Sequence, residues 1–363
     1  MTDHLRDLTD AGVSVWLDDL SRERLASGSL AAMIRDDHIR GVTTNPTIFA
    51  AAIARGDAYL GQLRQIAALP TAEAIQQLCA QDVREACDLF AELHRATDGE
   101  DGWVSIEVEP ALAHDAAATL AQARQLRALV ARDNVLIKIP ATTESLRAVE
   151  DAIAEGISVN VTLIFSVARY DQVMEAYARG LARARDAGLD LSRIHSVASV
   201  FISRLDAEVD QRLRALERTD LCEQAAIANA RVAVDHFAAF FSREPFAELA
   251  AHGAHAQRPL WASTGTKDPA YPDTLYVSEL VHPGTVNTMP EKTLRAFADH
   301  GRLGAPLAGR ADDGRATLAA LREAGVDLDD VFGVLESQGV QKFVDSWKRL
   351  AADVEEARRS LPS

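Results

Sequence analysis

Short apolar, β-rich runs alternate along the chain with longer Ala/Leu/Arg/Glu-rich stretches whose apolar positions recur at helical spacing. The runs Val13–Leu17, Val42–Asn45, Trp103–Val108, Val135–Ile139, Ile157–Leu163, His195–Ile202, Pro259–Ser263 and Thr285–Thr288 read as strands. Helical stretches lie between them, among them Thr71–Arg95, His114–Ala131, Thr143–Ala154, Ser166–Asp186 and Asp206–Phe241. Eight strands separated by helices, with no Gly-x-Gly-x-x-Gly after the first, predict an α/β chain closed into a (β/α)8 TIM barrel. A doubly wound sheet is the runner-up. A chain of 363 residues exceeds what a plain barrel needs. The excess falls in helical segments around 51–95 and 217–241 and in a helical tail from about Leu303 that ends in Val340–Arg359. With no internal repeat or Pro/Gly/Ser-rich linker, 1–363 reads as one domain. The sequence leaves open whether the last helix covers the barrel mouth or packs on the far side.

Lys138 changes the picture from fold to chemistry. It sits inside Asn134-Val135-Leu136-Ile137-Lys138-Ile139-Pro140, a run apolar enough to be a buried strand. Burial of a lysine disfavours its ammonium form, and a free amine in a dry site is a nucleophile for carbonyl carbon. The other reading is a strand-end lysine that snorkels to solvent.

Neighbouring strands supply company for that amine. Side chains two apart on a strand share a face, so Thr43 pairs with Asn45, Ser105 with Glu107, and Asn160 with Thr162. Ser199 and Ser263 lie within or at the ends of their own strands. Filling a barrel with Val, Ile and Leu would avoid burying polar groups, yet at least six strands carry them. Convergence of these groups at one mouth predicts a site. Singly each has a plainer reading: Glu107 an edge carboxylate, Asn45 the start of a turn before Pro46, Thr162 and Ser263 bonded to their own backbone. Arg204 after the sixth strand and Lys267 after the seventh stand where barrels often hold phosphate. A surface Arg204 paired with Asp206 or Glu208 is the alternative.

Composition narrows the partners. A formal charge of −16, with Lys and Arg scattered, excludes a nucleic-acid binder of the usual basic kind. It also means that any phosphate must be met by a local basic pocket. Three cysteines without a CxxC spacing suggest a reducing cytoplasmic setting without disulfides. The polar Met1–Asp7 start and the lack of a long apolar run predict no leader and no membrane partner. Ten histidines form no HExxH, and His252-Gly253-Ala254-His255 sits in a polar loop, so no metal is expected.

Five segments together carry a resemblance: Gly41-Val42-Thr43-Thr44-Asn45-Pro46, Val104-Ser105-Ile106-Glu107-Val108, Leu136-Ile137-Lys138-Ile139, Asn160-Val161-Thr162-Leu163-Ile164-Phe165-Ser166 and Trp261-Ala262-Ser263. The chain resembles the transaldolase family, in family order from about Val13 to Leu294, in a long bacterial form. The resemblance implies a class I Schiff-base barrel with no metal or organic cofactor. It implies sugar-phosphate substrates: a dihydroxyacetone unit passes from sedoheptulose 7-phosphate to glyceraldehyde 3-phosphate, giving erythrose 4-phosphate and fructose 6-phosphate. Lys138 then matches the Schiff-base lysine and Glu107 the acid/base acting through a water. Asp18 matches the acid that takes the sugar hydroxyl proton, with Asp19 as the neighbouring register. Asn45 and Asn160 match groups holding the dihydroxyacetone hydroxyls and the iminium, with Thr43 and Ser199 beside them. Thr162 matches the residue positioning the water, and Arg204 and Ser263 match phosphate ligands. The family pattern often puts a cation two residues past that serine. Here that position is Gly265 and the nearest cation is Lys267, which makes Lys267 the candidate second cation. A monomer or homodimer is expected. A fructose 6-phosphate aldolase-like enzyme and a non-catalytic phosphosugar-binding barrel are the rival readings. The former is expected to carry tyrosine where this chain has Glu107.

Overall fold

Eight strands, β1 (Val13–Leu17), β2 (Gly41–Val42), β3 (Trp103–Glu107), β4 (Val135–Pro140), β5 (Val159–Ile164), β6 (Ser196–Phe201), β7 (Arg258–Ala262) and β8 (Thr285–Met289), are buried at every position. The computed structural model describes residues 3–54 and 57–359. The strands pair in parallel in chain order, and β8 returns to β1 to close a barrel. This is the (β/α)8 architecture. Closure rules out the doubly wound sheet, which would leave two edges.

The N-terminal end of the barrel is plugged by charge. Asp101 accepts from Ser14 at 2.5 Å and from Arg40 at 2.9 Å, and Arg258 donates to Ser14 at 2.6 Å and to Asp101 at 3.3 Å. Next along β1, the fully buried Trp16 packs against β2. A Cβ at position 41 would lie 2.5 Å from the Trp16 ring, so only glycine lets β2 close on β1 there. Small and large residues thus interlock where a flat row of Leu and Val would not.

Three expectations shift. β2 ends at Val42, because Asn45 Oδ1 accepts from the amides of Thr47 and Ile48 at 3.0 and 3.1 Å and starts the helix Pro46–Ala54. β5 runs Val159–Ile164, and its register slips between Val161 and Ile164 around Leu163, whose φ is 62°. The expected single helix over Asp206–Phe241 is two, Ser203–Ala215 and Ala225–Ser242. Glu217 and Glu223 take left-handed φ values of 57° and 67° between them. The break is held by side chains of the first helix: Asp206 accepts from the Ala226 amide at 2.7 Å and Asp210 from that of Glu223 at 3.0 Å.

The tail forms Ala311–Glu323 and a 32-residue helix, Leu328–Arg359, roughly 48 Å long at the usual rise. This terminal helix covers the barrel mouth. Gly339 passes so near the end of β5 that a Cβ there would sit 3.0 Å from the Leu163 side chain. One turn on, Phe343 is buried, and Ser346 Oγ meets Thr47 Oγ1 at 2.8 Å. No helix among the described residues is long and apolar enough to cross a membrane.

Candidate active site

Strand register sets the centre. Glu107 lies opposite Lys138 across β3 and β4, and Lys138 opposite Asn160 across β4 and β5. All three side chains are buried. Lys138 Nζ donates to the Thr44 carbonyl at 3.0 Å, stands 3.6 Å from Glu107 Oε2, and lies 5.7 Å from the centre of the Phe343 ring. The lysine does not snorkel to solvent.

Glu107 is the least satisfied group in this centre. Neither of its carboxylate oxygens has a hydrogen-bond partner among the described residues, and the same holds for the buried Thr162 hydroxyl. Burial pushes the Glu107 carboxyl up to about 7, against the pull of the nearby Lys138 charge. Leaving three such polar groups unpartnered is costly, by roughly 1–3 kcal/mol each, so they mark a place built for a polar guest. Thr162 is the next inward position past Asn160 on β5, set off by the bulge at Leu163.

Around this centre the polar groups fall into three clusters. Asn160 donates to Ser105 Oγ at 3.0 Å and accepts from Ser199 at 2.7 Å, a buried ladder over β3, β5 and β6. Asp18, half-buried past the end of β1, accepts from Thr43 Oγ1 at 2.7 Å. Thr43 Oγ1 is also 2.6 Å from Thr288 Oγ1, and since Thr43 gives its proton to Asp18, Thr288 must donate to Thr43. Burial raises the Asp18 carboxyl above its ordinary value, while the Lys138 charge and the Thr43 hydroxyl pull it down. Asp19 takes another course: it pairs with Arg24 at 2.6 Å and lines a separate cavity with Glu291. Of the two neighbouring acids, only Asp18 faces Lys138.

The third cluster is cationic. Arg204 stacks on Phe201 at 4.9 Å. Ser263, with φ 58°, brings its hydroxyl to 2.9 Å from that of Ser203. Arg204, Ser263 and Lys267 line one cavity of about 200 Å3 with Lys138, Asp18, Thr43, Asn45 and Ser199. Glu107, Asn160 and Thr162 lie outside its lining, buried in the barrel interior. Asn45 spends its carbonyl on the helix start, so only its Nδ2, which makes no hydrogen bond to a described residue, can serve a ligand.

Thr288, Lys342 and Phe343 are among the lining residues that the sequence does not single out. Thr288 sits at the C-terminal end of β8 with the parity that singled out Thr43, so the same rule finds it. Lys342 and Phe343, both in the terminal helix, carry no such signal. Among the described residues no group of three or more His, Cys, Asp and Glu could hold a metal ion.

Comparison with known proteins gives the family. The family model described as Transaldolase/Fructose-6-phosphate aldolase matches residues 15–354. A protein named Transaldolase from Acidothermus cellulolyticus is 56% identical, covering 99% of both chains. Another of that name from Thermobifida fusca is 54% identical over 95% of this chain and 96% of its own. Transaldolase 2 of Streptomyces avermitilis is 52% identical over the full length of both. The chain belongs to the transaldolase/fructose-6-phosphate aldolase family.

Proposed function

We propose that this enzyme is a transaldolase whose Schiff base forms on Lys138, moving a dihydroxyacetone unit between sugar phosphates. The observation that carries the reading is the Lys138–Glu107 pair: a buried amine 3.6 Å from a carboxyl whose oxygens have no hydrogen-bond partner among the described residues and which burial pushes up to about 7.

The Lys138 amine attacks C2 of sedoheptulose 7-phosphate, and the carbinolamine loses water to give an iminium. A carboxyl titrating near 7 can give and take protons at neutral pH, so Glu107 serves this step in both directions. A water bridging Glu107 and Thr162 would satisfy their unpartnered atoms and carry the proton. Asp18 takes the C4 hydroxyl proton, the C3–C4 bond breaks, and its electron pair passes into the iminium to form an enamine. Erythrose 4-phosphate leaves. The Asn160 ladder and Asn45 Nδ2 hold the hydroxyls of the remaining unit, and Phe343 keeps water from it. The enamine then attacks the aldehyde of glyceraldehyde 3-phosphate, Asp18 returns the proton, and hydrolysis releases fructose 6-phosphate. Arg204, Ser263 and Lys267 receive the phosphate.

Extra helices and tail belong, on this reading, to one barrel domain. Work in a reducing cytoplasm suits its free thiols, two of them buried. Borohydride trapping with fructose 6-phosphate tests the mechanism. A single reduced adduct on Lys138 is expected, with transfer to an acceptor aldehyde faster than release of free dihydroxyacetone. Release without transfer would favour an aldolase. Folded protein that forms no adduct would leave only a binding barrel.

A further inference from the structure

Lys342 is not among the residues the sequence singles out, yet it stands at the cationic rim. Three cations on three different elements meet there: Arg204 in the helix Ser203–Ala215, Lys267 in the loop after β7, and Lys342 in the terminal helix. All three line the cavity that holds Lys138, and all three line an adjoining space of about 240 Å3 with Gln211 and Gln338. None of them has an ion pair or a side-chain hydrogen bond to a described residue; Arg204 has only the Phe201 ring. Arg204 is half-buried, and Lys267 and Lys342 are exposed at the rim; the buried Arg22 and Arg258 and the half-buried Arg24 are by contrast each tied to a carboxylate.

Gathering like charges has a cost. The Arg204 charge is the foremost cause that lowers the Lys342 amine, and Lys267 is lowered by burial and then by Arg204 and Lys342. A chain with net charge −16 has acids to spare for neutralising them. That it leaves these three unpaired around one cavity points to an anion supplied from outside.

The place of Lys342 is fixed by its own helix. Phe343, the next residue, is buried against the cavity with its ring over Lys138. Ser346, one turn on, meets Thr47, which lines the same cavity. Helix and barrel cannot slide past each other without breaking both contacts, so Lys342 is held at the rim.

We propose that Lys342 is a phosphate-binding residue of this site, completing with Arg204 and Lys267 a three-cation clamp, and that the terminal helix therefore takes part in substrate selection. The proposal rests on the sugar-phosphate reading above. A phosphate monoester carries roughly −1.5 to −2 charges at pH 7, enough to draw together one half-buried and two exposed cations.

The test compares donors that differ only in the phosphate: fructose 6-phosphate and fructose, each with D-glyceraldehyde as acceptor, in full-length protein. Lys342→Gln should lower kcat/KM for fructose 6-phosphate about tenfold or more, mostly through KM, and shrink the preference over fructose by the same factor. The inhibition constant of inorganic phosphate should rise in parallel. Lys342→Arg should recover most of the preference, and Lys348→Gln, an exposed lysine on the same helix, should keep all of it. An unchanged preference in Lys342→Gln, or an equal loss with both donors, overturns the proposal. Failure of the Schiff-base reading shows separately, as a wild-type protein that traps nothing on Lys138.

Discussion

The two ends of the barrel bury the same kinds of side chain under opposite rules. At the N-terminal end, Asp101 is held by Ser14, Arg40 and Arg258, and Arg258 also donates to the carbonyls of Glu100, Gly284 and Thr285. At the C-terminal end, Glu107 has no hydrogen bond to either oxygen from a described residue, and Lys138 Nζ stands 3.6 Å away. The first arrangement answers the desolvation of charge with partners, which is what holding a fold requires. The second leaves the cost standing, and an unsatisfied carboxyl beside an amine is available for reaction.

Substitutions at the two ends should therefore separate activity from stability. Lys138→Ala should lower turnover by about 10^4-fold or more and abolish borohydride labelling, while the melting temperature changes little. Glu107→Gln should lower turnover by roughly 10^2- to 10^4-fold through loss of proton transfer, read from steady-state kinetics. Asp101→Ala should do the reverse: about 3 kcal/mol of stability lost in denaturant titration, because Arg40 loses its carboxylate and Arg258 keeps only that of Glu100, with kcat per folded molecule preserved.

Proton linkage sharpens the contrast. With Glu107 held near 7 in the folded chain and near its ordinary 4.5 when unfolded, the folded state keeps a proton that the unfolded state has shed. Folding stability from this group is fully present below pH 4.5, falls as pH rises to about 7, and is level above. Glu107→Gln should remove that slope and be more stable than the wild type at pH 8, as seen in melting curves across pH. The smallest effect is expected at Thr43. Thr43→Val deletes a hydrogen bond to the Asp18 carboxylate, so the acid limb of the pH–rate profile should move upward and turnover drop about tenfold, while Thr43→Ser keeps both.

Much of this comparison could be read along the chain. Period-two alternation put Ser105 with Glu107 and Asn160 with Thr162, because a strand leaves a side chain only two directions. Strand identity followed for the same reason, since runs such as Val135–Pro140 are buried on both faces. The helix break after Ala215 could not be read this way: it uses no glycine or proline, and its cause is the reach of Asp206 and Asp210 to amides 20 and 13 residues away, respectively. Lys342 and Phe343 were hidden for a related reason. A helix pattern shows which residues are apolar, not which part of the barrel a face meets, and that depends on Gly339 fitting against Leu163.

The terminal helix follows all eight strands in the chain, which gives the enzyme an order of completion during synthesis. A ribosome releases the segment that carries Lys138 well before the one that roofs it. A barrel whose translation stops before Leu328 would hold Lys138 and Glu107 but lack Phe343, with its amine open to any passing aldehyde. Cleavage between the barrel and this helix would have the same result. If Lys138 is the Schiff-base amine as proposed, messages or proteases that shorten the protein from this side would thus yield a reactive lysine without selectivity, rather than a weaker version of the same catalyst.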